Sequence, residues 1–349
     1  MDTTMRDVKV SILMSVYNGG KFLGDAIESM LSQGFKDFEF IIINDGSIDD
    51  SLKIINSYHD ERIRLVDNGG NIGLVNSLNK GLELAKGEYI VRMDCDDISC
   101  SNRLSSQVKF MNKHKMVGAS GSYYDLMFRG KHAVADFPLN NEEISCYLIF
   151  NSPMAHPSVI IRRQTILERK LSYRSEFVHA EDYDLWSRIS ENAELSNIPE
   201  VLLNYRVHEG QITENPNLVV AKRLSLDKIR LRHLKRIDMN PDDRELFIHN
   251  MVSDGRRPAS DQELAEAEAW LKKIVMSNRS SRILSQPYLE KIITERWLRM
   301  CFNYYGAKKG LLFFMRSGLY KIVKLPMKQK LELLKNIYYS YKRKKIKLG

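Results

Sequence analysis

The chain has 349 residues, room for two or three domains, and its 43% hydrophobic and 9% aromatic content is that of a folded protein able to bury a sizeable core. Its net charge of +9 belongs to one end: residues 320–349 hold ten Lys or Arg against a single acid, Glu332, so the rest is neutral in sum and the chain is read as binding no nucleic acid. Cys95, Cys100, Cys146 and Cys301 lack metal-ligand spacing, the start carries no signal-like apolar region, and no run reaches the 18 or so apolar residues of a membrane span; together these point to a reduced, cytoplasmic protein.

In chain order, "VKVSILMSVYN" (8–18) predicts a buried parallel strand that ends in polar residues. "GGKFLGDAIESMLSQG" follows with Phe22, Ala26, Ile27, Met30 and Leu31 at helical spacing and Gly34 as a stop. "DFEFIIINDGS" (37–47) predicts a second strand, "DDSLKIINSY" a helix, "RIRLVDN" a third strand, "NIGLVNSLNKGLELAKG" a helix and "EYIVRMD" a fourth strand. Strands alternating with helices imply a mostly parallel α/β sheet, in which ligands sit outside the carboxyl ends of the strands. Three of those ends read "SVYN", "NDGS" and "MDCDD", so the polar residues collect on one rim.

From about residue 100 to 215 the pattern is mixed, with a helix near 101–114 and strand-like runs in "HPSVIIRR" and "EVLLNYRVH". Residues 1–215 are read as one domain, and residues 216–349 as a mainly helical region. Within the latter, "RPASDQELAEAEAWLKKIV" predicts a helix with Ser260 or Asp261 as its N-cap.

"VRMDCDDIS" (91–99) sets Asp94, Asp96 and Asp97 in four positions. Two carboxylates about 4 Å apart repel by roughly 4 kcal/mol at an effective dielectric of about 20. Such a cluster is either a solvated acidic turn, with Asp97 capping the next helix, or a site for a hard cation such as Mg2+ or Mn2+, which prefers oxygen ligands.

"SVYNGGKFLGDAIESMLSQ", "FIIINDGSIDDS", "NGGNIGLVNSLNKGLELAKGEYIVRMDCDD", "HAEDYDLWSRI" and "YRVHEGQIT" occur in this order, and together they resemble family 2 glycosyltransferases of the GT-A fold, over roughly residues 8–215. The likeness is to bacterial enzymes that build capsule, O-antigen or exopolysaccharide. It implies an inverting, metal-dependent transfer of a sugar from a UDP-sugar donor to a hydroxyl of a growing glycan, free or lipid-linked. Val16, Tyr17 and Asn18 resemble the loop that contacts the base, although Ser15 stands where the family often has Pro. Asp45 resembles the acid that accepts the uracil N3–H, which favours UDP; Asp45-Gly46 is equally a common turn pair.

Asp94 and Asp96 match the family's DXD acids, the first facing ribose or metal and the second holding Mn2+ or Mg2+ against the diphosphate. Asp97 either shares that ligand role or caps the next helix. Arg92 and Asn71 are candidates for hydrogen bonds near the nucleotide, and Arg92 is also a candidate partner for one of the acids. Asp182, next to Glu181, matches the catalytic base, while Asp184 and Trp186 are read as packing or acceptor-lining residues. His208 occupies the place of a histidine that completes the metal or phosphate site; His156 either packs before Pro157 or contacts a sugar.

Other classes fit less well. A nicotinamide oxidoreductase would carry GxGxxG after the first strand, which is absent, and a nucleotidyltransferase an Arg-containing Gly-rich loop there. A non-catalytic nucleotide- or glycan-binding module of the same fold is the serious rival. The tail "MKQKLELLKNIYYSYKRKKIKLG" places Leu331, Leu334, Tyr338 and Tyr341 near one face among cations. That suits either an anionic membrane surface, at the inner face of the cytoplasmic membrane, or packing on its own domain; the resemblance favours the membrane.

Overall fold

The structure, a computed structural model, describes residues 8–208, 219–326, 328–329, 331–335 and 337–338. The chain divides into two compact units: residues 1–141 with 152–225, and residues 142–151 with 226–349. The expected division at residue 215 lies outside the described residues, as does the tail beyond residue 338, including Tyr341.

In the first unit, strands β1 (Val10–Val16), β2 (Phe38–Asn44), β3 (Ile63–Asp67) and β4 (Tyr89–Asp94) run parallel in the spatial order β3-β2-β1-β4. Helices α1 (Gly20–Leu31), α2 (Ser51–Asn56) and α3 (Leu74–Leu84) make the crossovers. Nearly every side chain of β1, β2 and β4 is buried, which is why those strands read as continuous apolar runs rather than alternating ones.

Beyond β4 the chain makes a short β5 (Ile98–Ser99), α4 (Arg103–Lys113) and a long hairpin of β6 (Val117–Phe128) and β7 (Lys131–Ala135). "HPSVIIRR" folds as a 3-10 turn over His156–Ser158, strand β8 (Ile160–Arg162) and the start of α6 (Arg163–Glu168). "EVLLNYRVH" is the second half of β9 (Glu194–Arg206) and two residues beyond it, with α7 (Glu181–Ile189) just before that strand. Strand β8 is antiparallel to β4 and β6, and β9 runs parallel to β6, so the sheet is mixed on this side.

The second unit is helical. Helices α8 (Val219–Arg236, from residue 226 on), α9 (Asp243–Ser253), α10 (Asp261–Ser281) and α11 (Gln286–Tyr305) enclose a core of Leu271, Ile274, Ile293, Trp297 and Phe302. Cys146, Ile149 and Phe150, in and just after α5 (Asn141–Tyr147), join that core. Of the two expected caps for α10, Ser260 is the one used: its hydroxyl accepts the Glu263 N–H at 3.2 Å. Buried His249 has both nitrogens satisfied, because Trp270 donates its indole N–H to Nδ1 at 3.1 Å, which leaves Nε2–H for the Ile149 carbonyl at 3.0 Å. No helix of the described residues is long and apolar enough to cross a membrane.

Candidate active site

The carboxyl ends of β1, β2 and β4 deliver their loops to one rim, and the loops after β1 and β2 are tied to each other by hydrogen bonds. Asn18, at φ 52°, donates its backbone N–H to Ser47 Oγ at 3.0 Å and accepts the Ile48 N–H on its side chain at 2.9 Å. Gly19 N–H and Gly20 N–H reach Ser51 Oγ and Asp49 Oδ2, each at 2.9 Å. Asp49 is only lightly buried; hydrogen bonds to its carboxyl from the Ser51 hydroxyl and from the Gly20 and Ser51 N–H groups outweigh that burial and hold it below the usual value. Tyr17 stands half-exposed beside this loop, whereas the Val16 side chain is fully buried and its carbonyl takes the Asp45 N–H at 2.8 Å. Val16 therefore serves the loop from within the core, with no side-chain surface for a ligand.

Asp45 is buried and faces the loop after β3. Its Oδ1 accepts from the Asn68 amide and the Ile72 N–H, both at 2.9 Å, and its Oδ2 accepts from the Gly73 N–H at 3.0 Å. Asn71, exposed in the same loop, accepts the Gly73 N–H at 3.1 Å. Gly46 sits at φ 71°, and a Cβ there would lie 2.4 Å from the Gly70 carbonyl carbon, so the turn and the loop press together with no room for a side chain.

One ligand oxygen from each of Asp94, Asp96 and Asp97 lies within 4.8 Å of the others, the candidate metal cluster among the described residues. Asp94 pairs with Arg92, which is 4% exposed. Asp96 Oδ2 is 3.0 Å from His208 Nε2, two residues past the end of β9. Asp97 accepts the Arg206 N–H at 3.0 Å, while its other oxygen is buried with no hydrogen-bond partner. It does not cap the next helix, because α4 starts behind Asn102. Burial, then repulsion from Asp96, pushes the Asp94 carboxyl up against the pull of Arg92; burial, then Asp94 and Asp96, pushes Asp97 well up. An orphaned buried oxygen beside two carboxyls that resist ionisation would fit a bound cation, and the donor set of carboxylates with one imidazole suits Mn2+ or Mg2+.

Behind β4, the buried Arg103 donates to the Arg92 carbonyl at 2.7 Å and to Ser99 Oγ at 3.0 Å, holding the strand end that carries the acids; burial lowers its own pKa to about 10. Nothing in its local sequence marks this role.

Glu181 and Asp182 open α7, Glu181 buried and Asp182 partly so. Burial, and after it the charge of Glu181, raises the Asp182 carboxyl to about 7, against the pull of the Tyr183 N–H and Arg92. Burial also raises Glu181, which feels both Arg92 and Asp94, so the pair belongs to the electrostatic neighbourhood of the cluster. Tyr173 lies among these groups: buried, its hydroxyl 2.9 Å from His156 Nε2, its acidity suppressed by burial and influenced by Arg92, Asp182, Glu181 and Asp94. Asn79 on α3 grips the Tyr173 backbone at both ends, donating to its carbonyl at 2.9 Å and accepting its N–H at 2.8 Å. Sequence reasoning missed Tyr173 and Asn79, which lie 94 positions apart.

His156 also meets Trp186 edge-on at 6.1 Å, and burial followed by Arg92 holds it neutral, so it packs before Pro157 while the residue stays partly exposed. Asp184 is buried against Arg188 at 2.8 Å, and Trp186 is fully buried; both pack.

Residues 11–170 match the family model described as Glycosyl transferase family 2. A Haemophilus influenzae protein named as an uncharacterized glycosyltransferase is 33% identical over 214 residues, 58% of this chain and 66% of that protein, so the chain spans about two thirds of that relative's length. The Escherichia coli UDP-Glc:alpha-D-GlcNAc-diphosphoundecaprenol beta-1,3-glucosyltransferase WfaP is 31% identical over 220 residues, covering 59% of this chain and 80% of that enzyme. The solved structure of S. aureus TarS 1–349 in complex with UDP-GlcNAc aligns with a TM-score of 0.56 over 96% of this chain and 92% of that one; at 15% identity the likeness is one of fold.

Proposed function

The chain belongs to glycosyl transferase family 2, and we propose that it transfers one sugar, with inversion, from a UDP-sugar to a hydroxyl of a growing bacterial surface glycan carried on a lipid. The observation that supports this reading is the Asp94-Asp96-Asp97 cluster together with a carboxylate, Asp182, which feels the charge of Arg92, the partner of Asp94, and whose pKa of about 7 is that of a usable general base. UDP is supported by the UDP-GlcNAc bound to TarS and by the UDP-Glc of WfaP, and the lipid-linked acceptor by the diphosphoundecaprenol acceptor of WfaP.

In this reading Tyr17 and Asn18 receive the base, with Asn71 and Asp45 beside it. Asp45 does so through Oδ2, where the single Gly73 contact leaves one lone pair over, since Oδ1 already accepts two hydrogen bonds. Asp94, Asp96 and His208 hold Mn2+ or Mg2+, with the orphaned oxygen of Asp97 alongside. When bound, that cation supplies Lewis-acid stabilisation to the departing diphosphate. Asp182 accepts the acceptor hydroxyl's proton as its oxygen bonds to the anomeric carbon; the bond from that carbon to the diphosphate oxygen breaks, and its electron pair leaves with UDP. Glu181 keeps Asp182 basic, and Arg92 holds Asp94 in place. Residues 1–215 form the catalytic domain, and the basic tail from 320 onward rests at the cytoplasmic face of an anionic membrane.

A binding module would keep the rim and have no use for Asp182. Calorimetry with UDP, with and without Mn2+, followed by UDP release from a panel of UDP-sugars with glycan acceptor, separates the two. Asp182→Asn should bind UDP like the wild type while turnover falls at least about a hundredfold. Full turnover in that variant removes Asp182 from the chemistry, and binding without release in the wild type favours the module.

A further inference from the structure

We propose that α12 (Ala307–Arg316), a helix of the second unit outside the basic tail, is a contact surface for an anionic lipid bilayer. Its orientation is fixed by its buried side. Gly310 and Phe314 face inward, Leu311 and Phe313 pack on the core of that unit, and a Cβ on Gly310 would lie 2.4 Å from the Cys301 carbonyl oxygen of α11. The helix is seated too closely to roll.

The opposite side is Lys308, Lys309, Leu312, Met315 and Arg316, all exposed, with Leu312 at 50% and Met315 at 42%. Two large apolar side chains one turn apart, bracketed by three cations, form one stripe. Along the chain its flanks are one-signed: residues 296–331 contain nine Lys or Arg and no Asp or Glu, and the α10 acids that reach this stretch are engaged, Asp261 by the Tyr305 hydroxyl and Glu268 by the Leu319 N–H and Lys272. A solvated helix explains the cations but not the exposed Leu and Met between them. An anionic headgroup layer complements the charge, and the acyl boundary below it takes the aliphatic pair. Nucleic acid fits less well, since Leu and Met offer no plane for a base to stack on. At ten residues the helix is too short to span, so it lies on the surface.

This surface goes beyond the transfer reading and does not depend on the donor or base assignments. The test is co-sedimentation of the full chain with vesicles of phosphatidylethanolamine and phosphatidylglycerol, against phosphatidylcholine vesicles. The wild type should sediment with the anionic vesicles and lose them at high salt. The paired changes Leu312→Glu with Met315→Glu, and Lys308→Glu with Lys309→Glu, should each weaken that partition at least about tenfold. Leu312→Ala with Met315→Ala, a milder pair at exposed positions, should weaken it in the same direction with an unchanged melting temperature. Variants that bind like the wild type, equal binding to phosphatidylcholine, or no binding at all would each overturn the proposal. UDP calorimetry on the same proteins keeps the outcomes apart: vesicle binding without UDP binding sinks the transferase reading alone, and the reverse sinks this surface alone.

Discussion

In the proposed transfer, Asp182 would set both rate and stability with one side chain. Its carboxyl ordinarily titrates near 3.8, and burial with Glu181 beside it moves that to about 7. A general base works only when ionised, so kcat/KM should climb about tenfold per pH unit below 7 and level off above it. The linkage has the opposite sign. A carboxyl whose pKa is higher folded than unfolded stabilises the fold most when protonated, and that stability is lost as pH rises from the unfolded value toward about 7. Asp182→Asn should therefore melt higher than the wild type at pH 8, with the gap closing toward pH 4, while transfer is lost throughout. A rate limb far from neutrality, or an unchanged gap between pH 4 and 8, would assign the base elsewhere.

At the level of elements, Gly46 decides whether two loops can meet. An Ala there would need a left-handed backbone, costing about 1 kcal/mol or more, and its Cβ would strike the Gly70 backbone. Loop 68–73 would move away from Asp45, so Gly46→Ala should weaken UDP binding severalfold or more and lower the melting temperature; calorimetry and thermal melts check both. Unchanged UDP affinity would mean that the Asp45 loop does not touch the nucleotide.

This half of the fold was legible for a physical reason. Parallel strands covered on both faces must be apolar throughout, and the β1, β2 and β4 runs say so in the sequence. The hairpin β6–β7 was not legible, because the buried part of β6 reads Val-Gly-Ala-Ser-Gly-Ser, small residues that close packing against neighbours permits but no periodicity announces. Residues 142–151 carry apolar side chains whose partners lie about a hundred positions or more further on, a pairing invisible to any local window. The site divides the same way. Asp94, Asp96 and His208 could be placed by motif order, whereas Arg103, Asn79 and Tyr173 act through contacts that only the folded chain creates.

At the scale of the whole molecule, the GT-A unit stores unfavourable electrostatics at one point. Three carboxylates converge within 4.8 Å, two of them pushed toward protonation, and a buried oxygen of Asp97 has no donor. A ligand that binds only the folded state stabilises it by mass action, about 2.7 kcal/mol at a hundredfold excess over its Kd. For a unit of this size that is a rise in melting temperature of roughly 5–10 °C. Mn2+ should produce such a shift in the transition of the first unit, and UDP should add to it only when the ion is present. Asp96→Asn removes one of the repelling charges, so it should melt at or above the metal-free wild type while losing most of the Mn2+ shift. The two effects have opposite signs, which separates a lost ligand from a damaged fold. If Mn2+ leaves the wild type unmoved and Asp96→Asn binds UDP as tightly as before, the cluster is an acidic turn and the transfer proceeds without a cation held there.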